Sequence, residues 1–463
     1  MQRLITESIV QETTDAIREV ASEYSGGNVT EGIMVKDIPN AIRSLPKGWY
    51  GVCKDRSVSA TSLTRIGAMA LHRELPIQSK MRRCVVRDNG TVAYYLHPTD
   101  SRYKDNGELA VLDGTDGQVM VEIPKHYAKL YIETDSTTGH LMEYRLISEF
   151  KLPGFTFVPK GYYSAFEAAL DRTNLKLASV VNTTAQYRGG NNTSGWDGTY
   201  RSLLGKPVTS VSLTNFRTYA SNRGARWTCH DEGMYETVCN LYIIEYASTN
   251  IQATFTSTLD ANGYRQGGLG PGVSSMPDWN GYNGYNPVVP CGATLTLGNA
   301  TGVVSTAVIG SAGTSVYNAP VPSYRGIENL FGHVWKHTDG ILISIAASGT
   351  SDVYRCYDIT KYSDTITSDY VKVGEEARSS GYTKNVIFPC LIASEVGGDS
   401  STNWCDYHYT NIPSSGSAVR ACLWGGGADD GAADGFAYAN SSIAPADADS
   451  HVSSRLCYHP VVS

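Results

Sequence analysis

Ionic side chains are scarce in this chain of 463 residues. Charged residues make up 18% of it and the net charge is −7, with no strongly basic run. A nucleic-acid partner needs a concentrated Lys and Arg surface to neutralise phosphates, so the composition argues against one. Long apolar runs are missing as well. The longest stretches, such as 341–347, are far too short to span a bilayer, and no membrane insertion is expected. The first residues, MQRLITESIVQETTD, carry neither a basic n-region nor an apolar h-region, so no secretory signal is expected. No fixed-period repeat appears, which argues against a solenoid spike. The ten cysteines include no Cys-x-x-Cys pair and no zinc spacing with histidine. They are expected as reduced, buried thiols. Phe is sparse too, 9 against 30 Tyr. Tyr combines a rigid apolar face with a hydroxyl, which suits both contact surfaces and the edges of loop-rich β proteins.

What is present in quantity is Gly, 46 residues, together with Asn, Ser and Thr. That mixture predicts a loop-rich fold with many turns. Residues 4–24 place Ile5, Ile9, Ala16, Ile17, Val20 and Tyr24 mostly on one helical face, and Gly26-Gly27 stops the helix. A second short helix is expected after Asp37, with Ile38, Ala41, Ile42 and Leu45 on one face. Two short amphipathic helices bury little alone, so they point to oligomerisation or attachment. Strands are expected at 92–98 and 119–123, followed by a hairpin that turns around Asp135–Gly139. Helices are expected at 164–172 and 231–248. The segment from Gly263 to Gly292 carries Trp279, Tyr282 and Tyr285 among its turn residues and reads as packed irregular loops.

Three stretches, in chain order, resemble the C-type-lectin-like fold used by formylglycine-generating enzymes and by phage tropism determinants. The first is RGARWTCHDEGMYETVCNLYIIEYAS at 223–248. The second is SYRGIENLFGHVWKHTDGILI at 323–343. The third is RACLWGGG at 420–427 with SSRLCY at 453–458, similar to that fold's paired final strands. With LDGTDGQVMVEIPKHYAK at 112–129, the chain is most similar to phage tail receptor-binding proteins and to targets of diversity-generating retroelements. One departure is Val452-Ser453-Ser454, where an Ile-Gly-Ala type of approach to the Arg is common. The resemblance implies an α+β architecture: a helical attachment or oligomerisation segment over 1–46, a small β-rich spacer module over 47–112, and a large C-type-lectin-like ligand-binding domain over 113–463 with loop-rich insertions. It also implies a homotrimer, made in the host cytoplasm and located in the virion tail.

The same resemblance implies a scaffold of Gly425, Gly426, Gly431, Gly435, Phe436, Arg455 and Leu456. On it would stand the ligand-binding positions Gly427, Ala428, Asp429, Asp430, Ala432, Ala433, Asp434, Ala437, Tyr438 and Asn440. Tyr407, His408 and Tyr409 join them as an aromatic loop able to stack on sugar rings or to support the display segment. The expected partners are a bacterial surface receptor, glycan or protein, and other virion tail proteins through the N-terminal helices. A structural tail or baseplate component, which would use the lectin-like domain for virion contacts, and an enzyme of the formylglycine-generating type are the alternatives.

Chemistry at these positions is not expected. Formylglycine-generating enzymes use two closely spaced cysteines, whereas Cys405, Cys422 and Cys457 are far apart in sequence. Asp429, Asp430, Asp434, Asp447 and Asp449 offer hard oxygen donors but no calcium-loop spacing, and read as solvated loop carboxylates. His333 and His337 read as structural. Glu232, Glu236 and Asp339 are the candidates for a glycosidase pair, and turn or core hydrogen bonding suits them better. No catalytic residue, metal or cofactor is therefore expected.

Overall fold

The computed structural model describes residues 48–254, 282 and 287–461. The two helices expected near the N-terminus and the expected attachment segment 1–46 lie outside the described residues, as does most of the Gly263–Gly292 stretch. The fold is mainly β, 37% strand against 12% helix, with several antiparallel sheets, one curled into a half-barrel. This overturns the α+β expectation: a C-type lectin fold is not evident.

The final strands show the difference in detail. Ser417–Trp424 and Leu456–Tyr458 do not pair with each other. The first runs antiparallel between Trp335–Ala346 and Ala439–Asn440, and the second lies between Gly161–Ser164 and Trp227–Cys229. Each strand finds a partner distant in sequence, which short local motifs do not encode.

Within the span expected as a spacer module, the described residues 48–112 share both of their sheets with residues beyond 113. Tyr50–Asp55 pairs with Leu141–Ser148 in a five-stranded sheet, and Arg82–Val86 pairs with Gln118–Ile123 in a seven-stranded one. The expected hairpin forms, with His126–Thr134 pairing against Leu141–Ser148 from Tyr127↔Ser148 to Thr134↔Leu141. The strand expected at 92–98 is Val92–His97.

Among the described residues, three α-helices punctuate the sheets: α1 (Met69–Glu74), α2 (Leu213–Ser221) and α3 (Glu232–Tyr246). Asp231 caps α3, accepting a hydrogen bond from the Met234 N–H at 3.0 Å. Nearly every α3 side chain is buried, as expected for a helix enclosed on all sides. Its Tyr235 ring lies 5.3 Å from Trp424, and its Tyr242 ring lies 4.8 Å from both Phe436 and Tyr324. α3 thus ties the core to the C-terminal segment.

The helix expected at 164–172 is absent. Its place is taken by the end of strand Gly161–Ser164, a bend and the short strand Ala169–Asp171. The backbone here bonds other segments instead of itself. Ala165 N–H donates to Val119 O at 3.0 Å, and Ala168 N–H donates to Ser454 O at 3.0 Å. Long-range partners satisfy the amides that a helix would have paired locally.

The largest sheet has nine strands and carries the C-terminal segment. Its order is Tyr370–Glu375, Ser351–Cys356, Trp335–Ala346, Ser417–Trp424, Ala439–Asn440, Tyr407–Tyr409, Gly381–Val386 and Ala393–Val396, with Val452–Ser453 parallel to Trp335–Ala346. The pairing of Trp335–Ala346 with Ser417–Trp424 breaks register between Thr338 and Ile343. Such irregularities bend a strand and increase its local twist.

Candidate functional site

The Ser417–Trp424 strand ends at Gly425 and Gly426, with φ of +95° and +84°. Both are in the region that glycine adopts without strain. A Cβ on Gly426 would also stand 1.7 Å from Asp434 Oδ1. The chain then folds on itself. Gly427 N–H donates to Asp430 Oδ2 at 2.7 Å, and the Tyr438 hydroxyl donates to Asp430 Oδ1 at 3.1 Å. A 3-10 turn, Gly431–Ala433, follows. Gln252 Nε2 clamps it from below, donating to the carbonyls of Gly431 and Asp434 at 2.8 Å each. The segment closes where Gly425 N–H donates to Tyr438 O at 3.0 Å, and where the Tyr235 hydroxyl of α3 donates to Phe436 O at 2.9 Å.

Burial sorts the expected ligand-binding positions. Asp429, Ala432 and Tyr409 are exposed, Tyr409 at 43%, while Asp430, Ala433, Asn440 and Tyr407 are half-buried. Gly427, Ala428, Asp434, Ala437, Tyr438 and His408 are buried, so these form the seat of the loop and not its outer face. Ala428 packs into an apolar cluster with Tyr282, Val289, Val308 and Val321. His408 points inward, its Nε2 3.2 Å from Ala377 O, because strand alternation sends Tyr407 and Tyr409 to the opposite face.

On that opposite face the structure assembles aromatic rings edge to face. Trp335 lies 4.5 Å from Tyr438, Tyr438 5.9 Å from Tyr407, and Tyr407 5.3 Å from Tyr382. Leu423, Val452, Ala433 and Ile443 fill between them. Tyr409 stands beside Asn440 in register. The face is therefore apolar at its floor and polar at its rim, with the exposed Asp429 next to it. Trp335 and Tyr382 were not among the expected site residues. The alternation of the Gly381–Val386 strand was the available signal for Tyr382, and its register with Tyr407 comes only from the folded sheet.

The floor of the loop is acidic. Asp434 is fully buried, and neither carboxyl oxygen has a hydrogen-bond partner among the described residues. Burial pushes its carboxyl well above the usual range, Asp430 adds to the shift, and Lys336 opposes it. Asp406 is also buried, and its Oδ2 accepts from Ala437 N–H at 2.8 Å. Burial raises it well above the usual range. Glu376 accepts from Thr410 Oγ1 and Ser441 Oγ at 3.0 Å each, and burial pushes it up to about 7. Asp434 and Asp430 are thus not the solvated loop carboxylates that spacing suggested. The nearby cation, Lys336, is itself buried. It donates to Gly332 O at 2.8 Å and lies 3.4 Å from Glu167 Oε1. Burial lowers its ammonium to about 8.

Other candidate groups are taken up by structure. Glu236 pairs with Arg355, and Asp339 takes a two-pronged hydrogen bond from Arg217 at 2.6 and 2.9 Å. His333 and His337 bond the carbonyls of Pro320 and Asp447, each at 3.2 Å. All ten cysteines are buried and free. Burial pushes the thiols of Cys422 and Cys457 well above the usual range, the reverse of the shift that activates a thiolate. Among the described residues, no group of three or more His, Cys, Asp and Glu is placed to hold a metal ion. No described helix is long and apolar enough to cross a membrane. Compared with known proteins, the chain matches no family model, and no curated protein matches it.

Proposed function

We propose that this chain is a virion-associated receptor-binding protein of the phage tail type. It recognises a bacterial surface ligand, glycan or protein, and performs no chemistry on it. The observation that carries the reading is the aromatic face of the nine-stranded sheet, where Tyr407, Tyr409, Tyr382 and Asn440 border the exposed turn of Asp429 and Ala432. Rigid Tyr rings give contact area at low entropic cost, and the neighbouring carboxylate and amide supply directional hydrogen bonds. The loop behind is held by Gln252, Tyr235 and Asp430, so little ordering entropy is lost on binding. A single face of this size binds modestly. Assembly as a homotrimer, attached to other tail proteins through residues 1–46, would raise avidity without new contacts.

Retention of the labelled full chain on a panel of intact bacteria tests the proposal. The expected result is retention on a subset of strains. Stripping the cell-surface polysaccharide or digesting the surface protein then identifies the ligand class. Absence of retention on every strain, with the folded chain in multivalent form, contradicts it.

A further inference from the structure

Among the described residues, the carboxyl groups beneath the loop outnumber the cations able to neutralise them. Asp434 faces Asp430 and Asp429 from its own segment, Asp406 from the approach to Tyr407–Tyr409, and Lys336 from the Trp335–Ala346 strand. Lys336 is already engaged with Glu167 and the Gly332 carbonyl. At the far end of the segment, Glu376 meets Ser441, Thr410 and, at 3.8 Å, His408 Nε2, with Arg378 the charged group beyond. The Arg378 guanidinium is turned away to the carbonyls of Ala346, Ala347 and Thr350. Glu376 Oε2, like both Asp434 oxygens, has no hydrogen-bond partner among the described residues. An ionised carboxylate so enclosed is costly, and the neutral acid is the form that such an environment tolerates.

We propose that protons latch the Gly425–Ser441 segment: protonated carboxyl groups of Asp434, Asp406 and Glu376 hold it against the core, and their ionisation releases it. The three groups touch the segment at different points. Asp434, within the segment, lies against Gly332 outside it, Asp406 lies against Gly435 and bonds Ala437, and Glu376 bonds Ser441. Release therefore loosens the whole loop and, with it, the support of Tyr438 and Tyr407. The sign follows from proton linkage. In the open segment these acids titrate in the ordinary range, and in the closed segment burial raises them. Between the two ranges the closed form holds more protons, so raising the pH favours opening, by up to about tenfold per pH unit for each proton released. His408, lowered by burial to about 4, opposes the trend only below about 6.5, where a freed imidazole takes up a proton. Lys336, lowered to about 8, opposes it only near and above that pH; across the wider range the three carboxyl groups outweigh both. The latch is a property of the free chain and does not depend on what the face binds.

Amide hydrogen exchange of the full chain at pH 5.5 and pH 8.5, corrected for the intrinsic pH dependence of exchange, tests it. The expected result is at least roughly a tenfold loss of protection in 425–441 relative to the Leu141–Ser148 strand. Asp434→Asn, neutral at every pH, is expected to keep more of its protection at pH 8.5. An unchanged protection ratio in the wild-type chain overturns the proposal without recourse to any variant. Opening of the segment at pH 5.5 in a folded Asp434→Asn chain also overturns it, because it would mean that the ionised carboxylate is the holding form.

Discussion

Gly426 and Arg455 show how much of this site is decided by single residues. Gly426 lets the chain leave the Ser417–Trp424 strand with positive φ and lets Asp434 lie against the backbone. Gly426→Ala combines a strained φ with a collision, and a loss of about 2 kcal/mol or more is expected in urea unfolding. Arg455 is fully buried. Its guanidinium donates to Ser164 O at 3.1 Å, to Asn329 O at 2.7 Å and to Glu328 O. Arg455→Ala strips three carbonyls of their donor and is expected to cost about 3 kcal/mol or more. The scaffold role expected for Gly426 and Arg455 fits these contacts. What the sequence did not disclose is which display positions face inward. Asp434 and Asp429 look alike in a Gly- and Ala-rich run, and only the folded chain separates the buried acid from the exposed one.

Among the elements, α3 was legible because its signal is local: the helical spacing of Tyr235, Val238, Leu241, Tyr242 and Tyr246. Asp231 also accepts from Thr228 Oγ1 and pairs with His459 Nε2, both at 2.8 Å. Asp231→Ala therefore removes a cap together with the hydrogen bonds to Thr228 and His459, and a loss of about 2–3 kcal/mol in thermal or urea unfolding is expected. Asp231→Asn, which can still cap, is expected to recover part of it. The segment at 164–172 was misread because its alanines suit a helix, whereas its backbone partners, Val119 and Ser454, lie far away in sequence. α2 went unexpected although Ser212 caps it and Leu213, Phe216 and Ala220 share its buried face. The hairpin at 126–148 was legible because turn chemistry and alternation are both local.

At the scale of the whole molecule, the lectin-like expectation failed because it rested on short motifs, while the sheets join strands distant in sequence, such as Gly161–Ser164 with Leu456–Tyr458. The buried ionisable groups give the fold a pH signature. Glu232 and Glu376 are raised to about 7, chiefly by burial, so the folded state holds protons that the unfolded chain releases near its ordinary range. Their contribution is lost as pH rises toward and past 7. Below about 6.5 the trend is opposed by His126, His333, His337 and His408, which burial lowers to about 4 and which the unfolded chain protonates. The melting temperature is therefore expected to fall between pH 6.5 and pH 7.5, before buried Lys206 and Lys336, lowered to about 8, begin to oppose the trend. A rise across that interval would contradict the burial of these acids. The most direct test of the central claim, that the aromatic face is where the ligand binds, is cell retention of the full chain carrying Tyr409→Ala and Asp429→Ala, compared with Tyr357→Ala. Tyr357 is exposed at 67% and lies outside the aromatic face. Loss of retention of roughly tenfold or more in the first variant, with the second unchanged, is the predicted result; equal retention by both would contradict it.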